Sequence, residues 1–358
     1  MTHLELFAGV GGFRTAMDHI QQDLGMVNDI VGYSEIDTKA TATYKANYDT
    51  ANEVEIGDIV AFIKDRNRFE NLPHFNLLTG GFPCQTFSMM GSQAGFNEDR
   101  GQMFFRIMDI IQHYEPNFVL LENVKNLMNH DNKRTYRRIK EELEAEHYIV
   151  HEDVFNTNAF GLPQKRNRVI IFARKEEFGD FEFSFERVKN HFDALNPNHL
   201  SIGIYDSVLD VLSPEVEGKY YLSERIKPTI LSNGSGNFVS NSDIDQMVAR
   251  PLTASMHKMH RACQDNYYSD IFIQSHGVER PSGHMTKEEL AKIPIRKLTP
   301  QEAFMLQGFP RNFAENAKNA KVADGAMYKQ AGNAVSVNTI YAVLHYLITN
   351  NIIQEQSL

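Results

Sequence analysis

Cys84 is one of only two cysteines in the 358 residues, and it stands where a nucleophile would be presented. It follows Thr79-Gly80-Gly81-Phe82-Pro83 and precedes Gln85-Thr86-Phe87-Ser88. Pro83 fixes its own φ and biases Phe82 toward extended backbone, so Cys84 sits on a stiff turn and not in the aliphatic run usual for an inert cysteine. Glu122 closes the apolar run Val119-Leu120-Leu121 and reads as a partly buried carboxyl with the raised pKa that a general acid requires; a capping or salt-bridged carboxylate is the plainer reading. In Pro163-Gln164-Lys165-Arg166-Asn167-Arg168 the two-residue period of a strand puts Arg166 and Arg168 on one face, as functional or as solvated cations.

A second group suits a nucleotide-like ligand. Phe7-Ala8-Gly9-Val10-Gly11-Gly12-Phe13 is a glycine-rich turn entering a helix, where glycine permits close backbone approach and positive φ. It departs from the dinucleotide G-x-G-x-x-G spacing because Arg14 holds the last position. In Tyr33-Ser34-Glu35-Ile36-Asp37 a carboxylate is placed to accept hydrogen bonds from ribose hydroxyls, Glu35 first and Asp37 as the alternative. Asp58, in Gly57-Asp58-Ile59, is placed to meet an adenine amino group.

The elements that must position these groups are legible in the first 175 residues. Leu4 to Phe7, Ile30 to Ser34, Phe75 to Thr79, Phe118 to Glu122 and Arg168 to Ala173 read as buried strands. Phe13 to Leu24, Gln102 to Tyr114 and Lys133 to Glu144 carry helical spacing. This alternation predicts an α/β fold with a doubly wound, mostly parallel sheet, whose ligands gather at the carboxyl ends of the strands. The stretch 187–296 is rich in Ser, Asn, Gly and Pro and reads as a smaller, loop-rich domain. Helical structure returns where Thr299 caps a helix with Pro300 at its first position and Glu302 closing a capping box. A last helix spans about Ser336 to Thr349. The expected division is 1–186 with 325–358, then 187–296, joined by a helical connection at 297–324.

Composition narrows the function. The net charge of −10 excludes coating nucleic acid by bulk positive charge, so any such contact is local. Between Arg187 and Arg296 there are 12 Lys and Arg against 13 Asp and Glu, so that stretch is nearly neutral and the acidity lies elsewhere. Two unrelated cysteines fit neither a disulfide framework nor a zinc site, and no metal is expected. No apolar run reaches the length of a membrane span and no basic leader opens the chain, so a cytoplasmic protein is expected.

Taken in order, Leu6-Phe7-Ala8-Gly9-Val10-Gly11-Gly12, Gly80-Gly81-Phe82-Pro83-Cys84-Gln85, Glu122-Asn123-Val124, Gln164-Lys165-Arg166-Asn167-Arg168 and Tyr328-Lys329-Gln330-Ala331-Gly332-Asn333-Ala334-Val335 closely resemble the cytosine-5 DNA methyltransferase family. The resemblance covers about 1–175 and 297–345. It implies an S-adenosylmethionine-dependent fold in which Phe7, Gly9, Gly11, Glu35, Asp58 and Asn333 line the cofactor pocket. It also implies that Cys84 attacks carbon 6 of cytosine, that Glu122 protonates nitrogen 3, and that Arg168 holds the base with Arg166 in support. The base must leave the duplex stack for this chemistry, and Ser88 to Arg100 reads as a loop that closes over it.

In the family the variable domain reads the target sequence, which points to 187–296. Its segment Arg250 to Arg261 carries clustered donors, with Arg250, Thr253, Lys258 and Arg261 the expected DNA contacts. A second basic stretch, Lys133-Arg134 with Arg137, Arg138 and Lys140, reads as the wet face of a helix. The expected partner is double-stranded DNA, the expected state a monomer, and a restriction endonuclease the functional counterpart, without stable binding, of a bacterial or phage modification enzyme. An RNA cytosine methyltransferase would carry a Cys-Phe-Thr tripeptide, which does not occur here. A non-catalytic DNA-binding relative has no need of Cys84 with Glu122, and a nicotinamide oxidoreductase leaves Pro83-Cys84-Gln85 unexplained.

Overall fold

The computed structural model of the chain describes residues 1–83, 103–235 and 237–354. Cys84 and the expected closing loop from Ser88 to Arg100 lie outside the described residues. Residue contacts divide the chain into two compact units, Met1–Asn156 with Asn167–Ser201 and Thr339–Leu358, and Thr157–Arg166 with Ile202–Asn338. This division differs from the expected one in assigning 157–166 and 297–338 to the second unit and 187–201 to the first.

The first unit is built on a seven-stranded sheet. Its strands are β1 (Thr2–Leu6), β2 (Asp29–Tyr33), β3 (Val54–Glu55), β4 (Leu77–Gly81), β5 (Phe118–Val124), β6 (Tyr148–Asn156) and β7 (Asn167–Lys175), in the order β3-β2-β1-β4-β5-β7-β6. β1 to β5 run parallel, and β7 pairs antiparallel with both β5 and β6. Helices α1 (Gly12–Leu24), α2 (Thr38–Asn47), α3 (Ile59–Lys64), α4 (Arg66–Glu70), α5 (Met103–Tyr114), α6 (Arg134–Ala145) and α7 (Phe185–Asp193) complete it. The doubly wound, mostly parallel sheet expected from the apolar runs is present. β6 was not expected because its half-exposed residues Tyr148 to Asn156 carry His151, Glu152 and Asp153 and lack a continuous apolar run. The direction of winding reverses between β1 and β4, the crevice where such sheets bind ligands.

β1 is unusual for a central strand in burying two ionisable residues. His3 is fully buried, its Nε2 lies 2.6 Å from Thr79 Oγ1 on β4, and burial pulls the imidazole down to about 3, so it is neutral. Glu5 is equally buried, and the Tyr44 hydroxyl donates to its Oε2 at 3.3 Å. Burial pushes its carboxyl up to about 8, opposed by the nearby Arg14 guanidinium and the Tyr44 bond.

The second unit has short elements. They are α8 (Lys227–Leu231), β8 (Gly234–Ser235), β9 (Phe238–Val239), β10 (Tyr267–Ser269), α9 (Asp270–Gln274), α10 (Lys287–Leu290), β11 (Ile295–Lys297), α11 (Pro300–Met305), α12 (Phe313–Asn319), α13 (Asp324–Asn333) and the start of α14 (Val337–Thr349). α11 carries the expected capping box, Thr299 Oγ1 accepting from the Glu302 N–H at 3.2 Å and Glu302 Oε2 accepting from the Thr299 N–H at 2.7 Å. Glu302 is fully buried and forks onto Arg296 at 2.8 and 2.9 Å, so one carboxylate both starts a helix and pins β11. Among the described residues no helix is long and apolar enough to cross a membrane.

A carboxyl held protonated in the fold stabilises it fully below the unfolded-state pKa and loses that contribution as pH rises through the folded value. Glu5 should therefore make stability fall between its usual 4.5 and about 8, at most by about 1.4 kcal/mol per pH unit. Glu5→Gln is expected to flatten this slope in urea unfolding measured across that range, and a slope unchanged by the substitution would remove Glu5 from the account.

Candidate active site

In the first unit, the carboxyl end of β1 leaves the sheet through left-handed backbone at Phe7 (φ 53°), Gly9 (φ 57°) and Gly11 (φ 86°). A side chain on Gly11 would start 2.5 Å from Tyr48 Cε2, whereas one on Gly9 would meet nothing within 4 Å. The turn is thus packed from below and open at Gly9. Tyr48 lies under it, its hydroxyl within reach of the Gly11 carbonyl at 2.8 Å, the Val10 carbonyl at 3.2 Å and Thr15 Oγ1 at 2.5 Å. Tyr44 stacks between Tyr48 and Tyr33, ring centroids 4.7 and 4.4 Å away.

Glu35, just past β2, fastens the turn. The Gly9 N–H donates to its Oε2 at 2.8 Å and the Asp37 N–H to its Oε1 at 2.7 Å. Burial raises its carboxyl above the usual range while these two backbone donors hold it down. Asp37 is committed to capping α2, accepting from the Lys39 N–H at 3.0 Å, and Asp58 caps α3 through the Val60 N–H at 2.9 Å. Of the two acids open from sequence, Glu35 is the one joined to the glycine turn. Between them Ile36 is 72% exposed, a large apolar side chain unburied beside a carboxylate. Sequence reading passed over Ile36; an apolar residue between two strand-end acids was the available signal.

The β4 and β5 ends carry the second half of the site. Gly81, three residues before Cys84 in the sequence, pairs with Glu122 across the two parallel strands. Glu122 is 8% exposed, and Arg168 on β7 places its Nε 2.9 Å from Glu122 Oε1. Asn123 donates from Nδ2 to the Phe82 carbonyl at 2.8 Å, anchoring the backbone one residue before Pro83. Asn123 was quoted from sequence without a role; its position after a strand-end acid gave no hint of this bond.

In the second unit, Arg166 is 1% exposed and donates to three carbonyl oxygens: Leu252 at 3.0 Å, Gly332 at 3.2 Å and Ala334 at 2.8 Å. It precedes β7, so the two-residue strand period expected to align it with Arg168 does not reach it, and Pro163 to Lys165 pair with Ala249. Gln164 completes the grip, accepting from the Leu252 N–H at 2.9 Å and donating to the Leu306 carbonyl at 2.9 Å. The backbone of Thr253 and Ala254 lies directly on Gly332, where any side chain would collide with it. The adjacent Asn333, at the end of α13, is exposed.

The expected DNA contacts divide in two. Lys258 and Thr253 are exposed. Arg250 and Arg261 are turned to the fold, Arg250 donating to the Asp243 carbonyl at 3.0 Å and Arg261 to Ser232 Oγ at 3.0 Å. They tie down the two ends of the segment 232–243, whose strands β8 and β9 form a hairpin. That segment carries no charge before Asp243 and exposes Asn237 and, at 84%, Val239.

The family model described as C-5 cytosine-specific DNA methylase matches residues 1–349. The chain is 33% identical to the Type II methyltransferase M1.ScrFI of Lactococcus lactis subsp. cremoris, over 96% of its own length and 77% of the relative's. It is 34% identical to the Type II methyltransferase M.SsoII of Shigella sonnei, over 97% and 79%. Among solved structures it is similar to the S. pombe Dnmt2 methyltransferase, with a TM-score of 0.72 at 19% identity over 99% of both chains. A putative DNA modification methyltransferase from an E. coli prophage gives 0.60 at 18%, over 98% of this chain and 99% of that one. At those identities the structures speak to the fold alone.

Two substitutions test the grip around Arg166. Gly332→Ala forces the Thr253 backbone away and is expected to cost about 1–3 kcal/mol by overpacking. Arg166→Lys keeps the charge but loses the planar fork and should cost about as much. Urea unfolding measures both, and wild-type midpoints for the pair would show the contacts to be dispensable.

Proposed function

The chain belongs to the C-5 cytosine-specific DNA methylase family and is a DNA (cytosine-5)-methyltransferase, and we propose that it acts through a covalent Cys84 adduct on a cytosine drawn out of duplex DNA. The observation that carries this reading is the Glu122–Arg168 pair, held level with the end of the strand that runs into Pro83-Cys84.

Carbon 5 of cytosine is a poor nucleophile. Addition of the Cys84 thiolate to carbon 6, with Glu122 delivering a proton to nitrogen 3, turns the ring into an enamine whose electron pair resides at carbon 5. Methyl transfer to carbon 5 consumes that pair. Loss of the carbon 5 proton to solvent then re-forms the C5–C6 double bond as the Cys84 thiolate leaves carbon 6, and nitrogen 3 gives its proton back to Glu122. Arg168 fixes the Glu122 carboxyl, and Asn123 steadies the backbone that presents the cysteine. Extruding the base costs a few kcal/mol, which the closed site must return.

S-adenosylmethionine supplies the electrophilic methyl group when bound. The residues around the glycine turn fit it: Phe7 and Gly11 shape the turn, the space at Gly9 admits a ligand, Glu35 receives ribose hydroxyls, and exposed Ile36 covers an adenine face. The resemblance assigns cofactor roles to Asp58 and Asn333 as well. For DNA, we assign sequence reading to the uncharged hairpin, with Asn237 hydrogen-bonding a base edge and Val239 in apolar contact. Lys258 and Thr253 take phosphates, while Arg250 and Arg261 hold the hairpin in place. The enzyme works as a monomer in the cytoplasm, opposite a restriction endonuclease of the same specificity.

Transfer of labelled methyl from S-adenosylmethionine to unmethylated duplex DNA, followed by bisulfite sequencing, should place the label at cytosine carbon 5 within one short sequence. Cys84→Ser should lower transfer by at least about a thousandfold, in keeping with loss of a catalytic nucleophile. It should also abolish the denaturation-resistant complex formed with duplex carrying 5-fluorocytosine, in which the proton to be lost is absent. Transfer persisting in Cys84→Ser would sink the covalent route.

A further inference from the structure

The stretch from Lys125 to Lys140 holds six cations, Lys125, Lys133, Arg134, Arg137, Arg138 and Lys140, against the single acid Asp131, in a chain of net charge −10. Three of the six have partners close at hand. Arg134 pairs with Asp131, Arg138 with Glu142, and Lys140 with Glu144 at 4.0 Å. Lys125, Lys133 and Arg137 are exposed and make no ion pair among the described residues.

Their place in the fold gives them meaning. Lys125 lies three residues beyond Glu122, at the carboxyl end of β5 where the site is built. Two 3-10 turns, Lys125–Met128 and His130–Lys133, then lead into α6. Lys133 and Arg137 are one helical turn apart at its start. The backbone between is strained: Asp131, Asn132 and Lys133 are consecutive left-handed residues, at φ 49°, 53° and 67°. Asp and Asn tolerate that region, but lysine does so poorly, and glycine would occupy the third position without strain. His130 Nδ1 lies 2.6 Å from Thr135 Oγ1, and Arg134 closes onto the Asp131 carbonyl at 3.2 Å, so the run is pinned on both sides. Strain kept at an exposed cation is the pattern of a residue retained for contact, not for folding.

We propose that Lys125, Lys133 and Arg137 form a phosphate-binding surface on the catalytic unit that holds the DNA backbone flanking the target cytosine. This rests on the reading of duplex DNA as substrate. Such a surface is sequence-independent: it fixes the position of the duplex beside Glu122 while base edges are read elsewhere. It also resolves the charge paradox, because an acidic protein needs a concentrated local patch to hold a polyanion.

The test is the salt dependence of binding to a fluorescent duplex carrying the mapped site, followed by anisotropy between about 50 and 200 mM salt. Each lost phosphate contact should reduce the slope of log K against log salt by about 0.9, so the triple Lys125→Gln, Lys133→Gln, Arg137→Gln variant should lose about 2 to 3 from it. Its Kd at the lowest salt should rise at least about tenfold, equally for duplexes with and without the site. Lys133→Gly alone separates contact from strain: the slope should shrink by about one while thermal stability rises. An unchanged slope in both variants overturns the surface. Methyl transfer by the wild-type protein to the same duplex keeps the two failures apart. Transfer with an unchanged slope refutes the surface alone, and absence of transfer refutes the reading beneath it.

Discussion

The first unit depends on how β1 leaves the sheet. A strand buried between β2 and β4 must release its chain at the crevice without a side chain filling the space a ligand needs. Left-handed backbone at Phe7, Gly9 and Gly11 does this, and conformations of that kind persist only where the surroundings hold them. Tyr48 supports the turn from beneath, and Glu35 ties Gly9 to the end of β2. The residue that fastens the turn is thus the one proposed to receive a ribose. Loosening Glu35 would release both Gly9 and Asp37, whose backbone N–H groups its two oxygens accept.

A comparable constraint governs the second unit. Leu252 is held at both ends of its peptide, the N–H by Gln164 and the carbonyl by Arg166. Arg166 also collects the carbonyls of Gly332 and Ala334 at the end of α13. One planar group therefore joins chain segments far apart in sequence, and bare glycine lets the 253–254 backbone lie against the helix end. The segment that follows leads into Lys258 and Arg261, so the start of the expected DNA-contacting stretch is fixed by buried side chains. Precision at such a surface comes from rigid support, since a contact displaced by an ångström loses most of its discrimination.

How much of this could be read in advance follows from which forces leave a local trace. Continuous apolar runs announced β1, β2, β4, β5 and β7, and the Thr299 capping box announced α11, because each rests on residues near in sequence. β6 escaped because it alternates half-exposed residues at a sheet edge, and β3 because two residues are too few to show a period. At the site, Glu122 is buried as the apolar run before it suggests, whereas the bond joining Glu35 to the glycine turn was not foreseen. The partners were hidden: nothing near Asn123 foretells the Phe82 carbonyl, and nothing near Arg166 foretells Leu252 or Gly332. Long-range hydrogen bonds to backbone carbonyls have no residue-type signature, since every residue carries that acceptor.

The arginines show the cost of reading charge as function. The sequence reading took Arg166 and Arg168 as functional or solvated cations, Arg168 holding the base by resemblance with Arg166 in support, and Arg250 and Arg261 as DNA contacts. The fold gives each a protein acceptor: carbonyls for Arg166 and Arg250, a carboxylate for Arg168 and a hydroxyl for Arg261. The planar fork explains the bias, because several donors in fixed directions satisfy several buried acceptors at modest entropic cost. Lysine, a hydrated point charge on a flexible stem, gains little from burial and stays at the surface, as Lys125, Lys133 and Lys258 do. A phosphate backbone asks for charge at roughly the right place more than for fixed geometry, so the exposed lysines suit it better than arginines already spent on the fold. The acidic balance of the whole chain sharpens this division. Where most of the surface repels a polyanion, the few regions that do not must define where it lies, and orientation follows from repulsion as much as from contact.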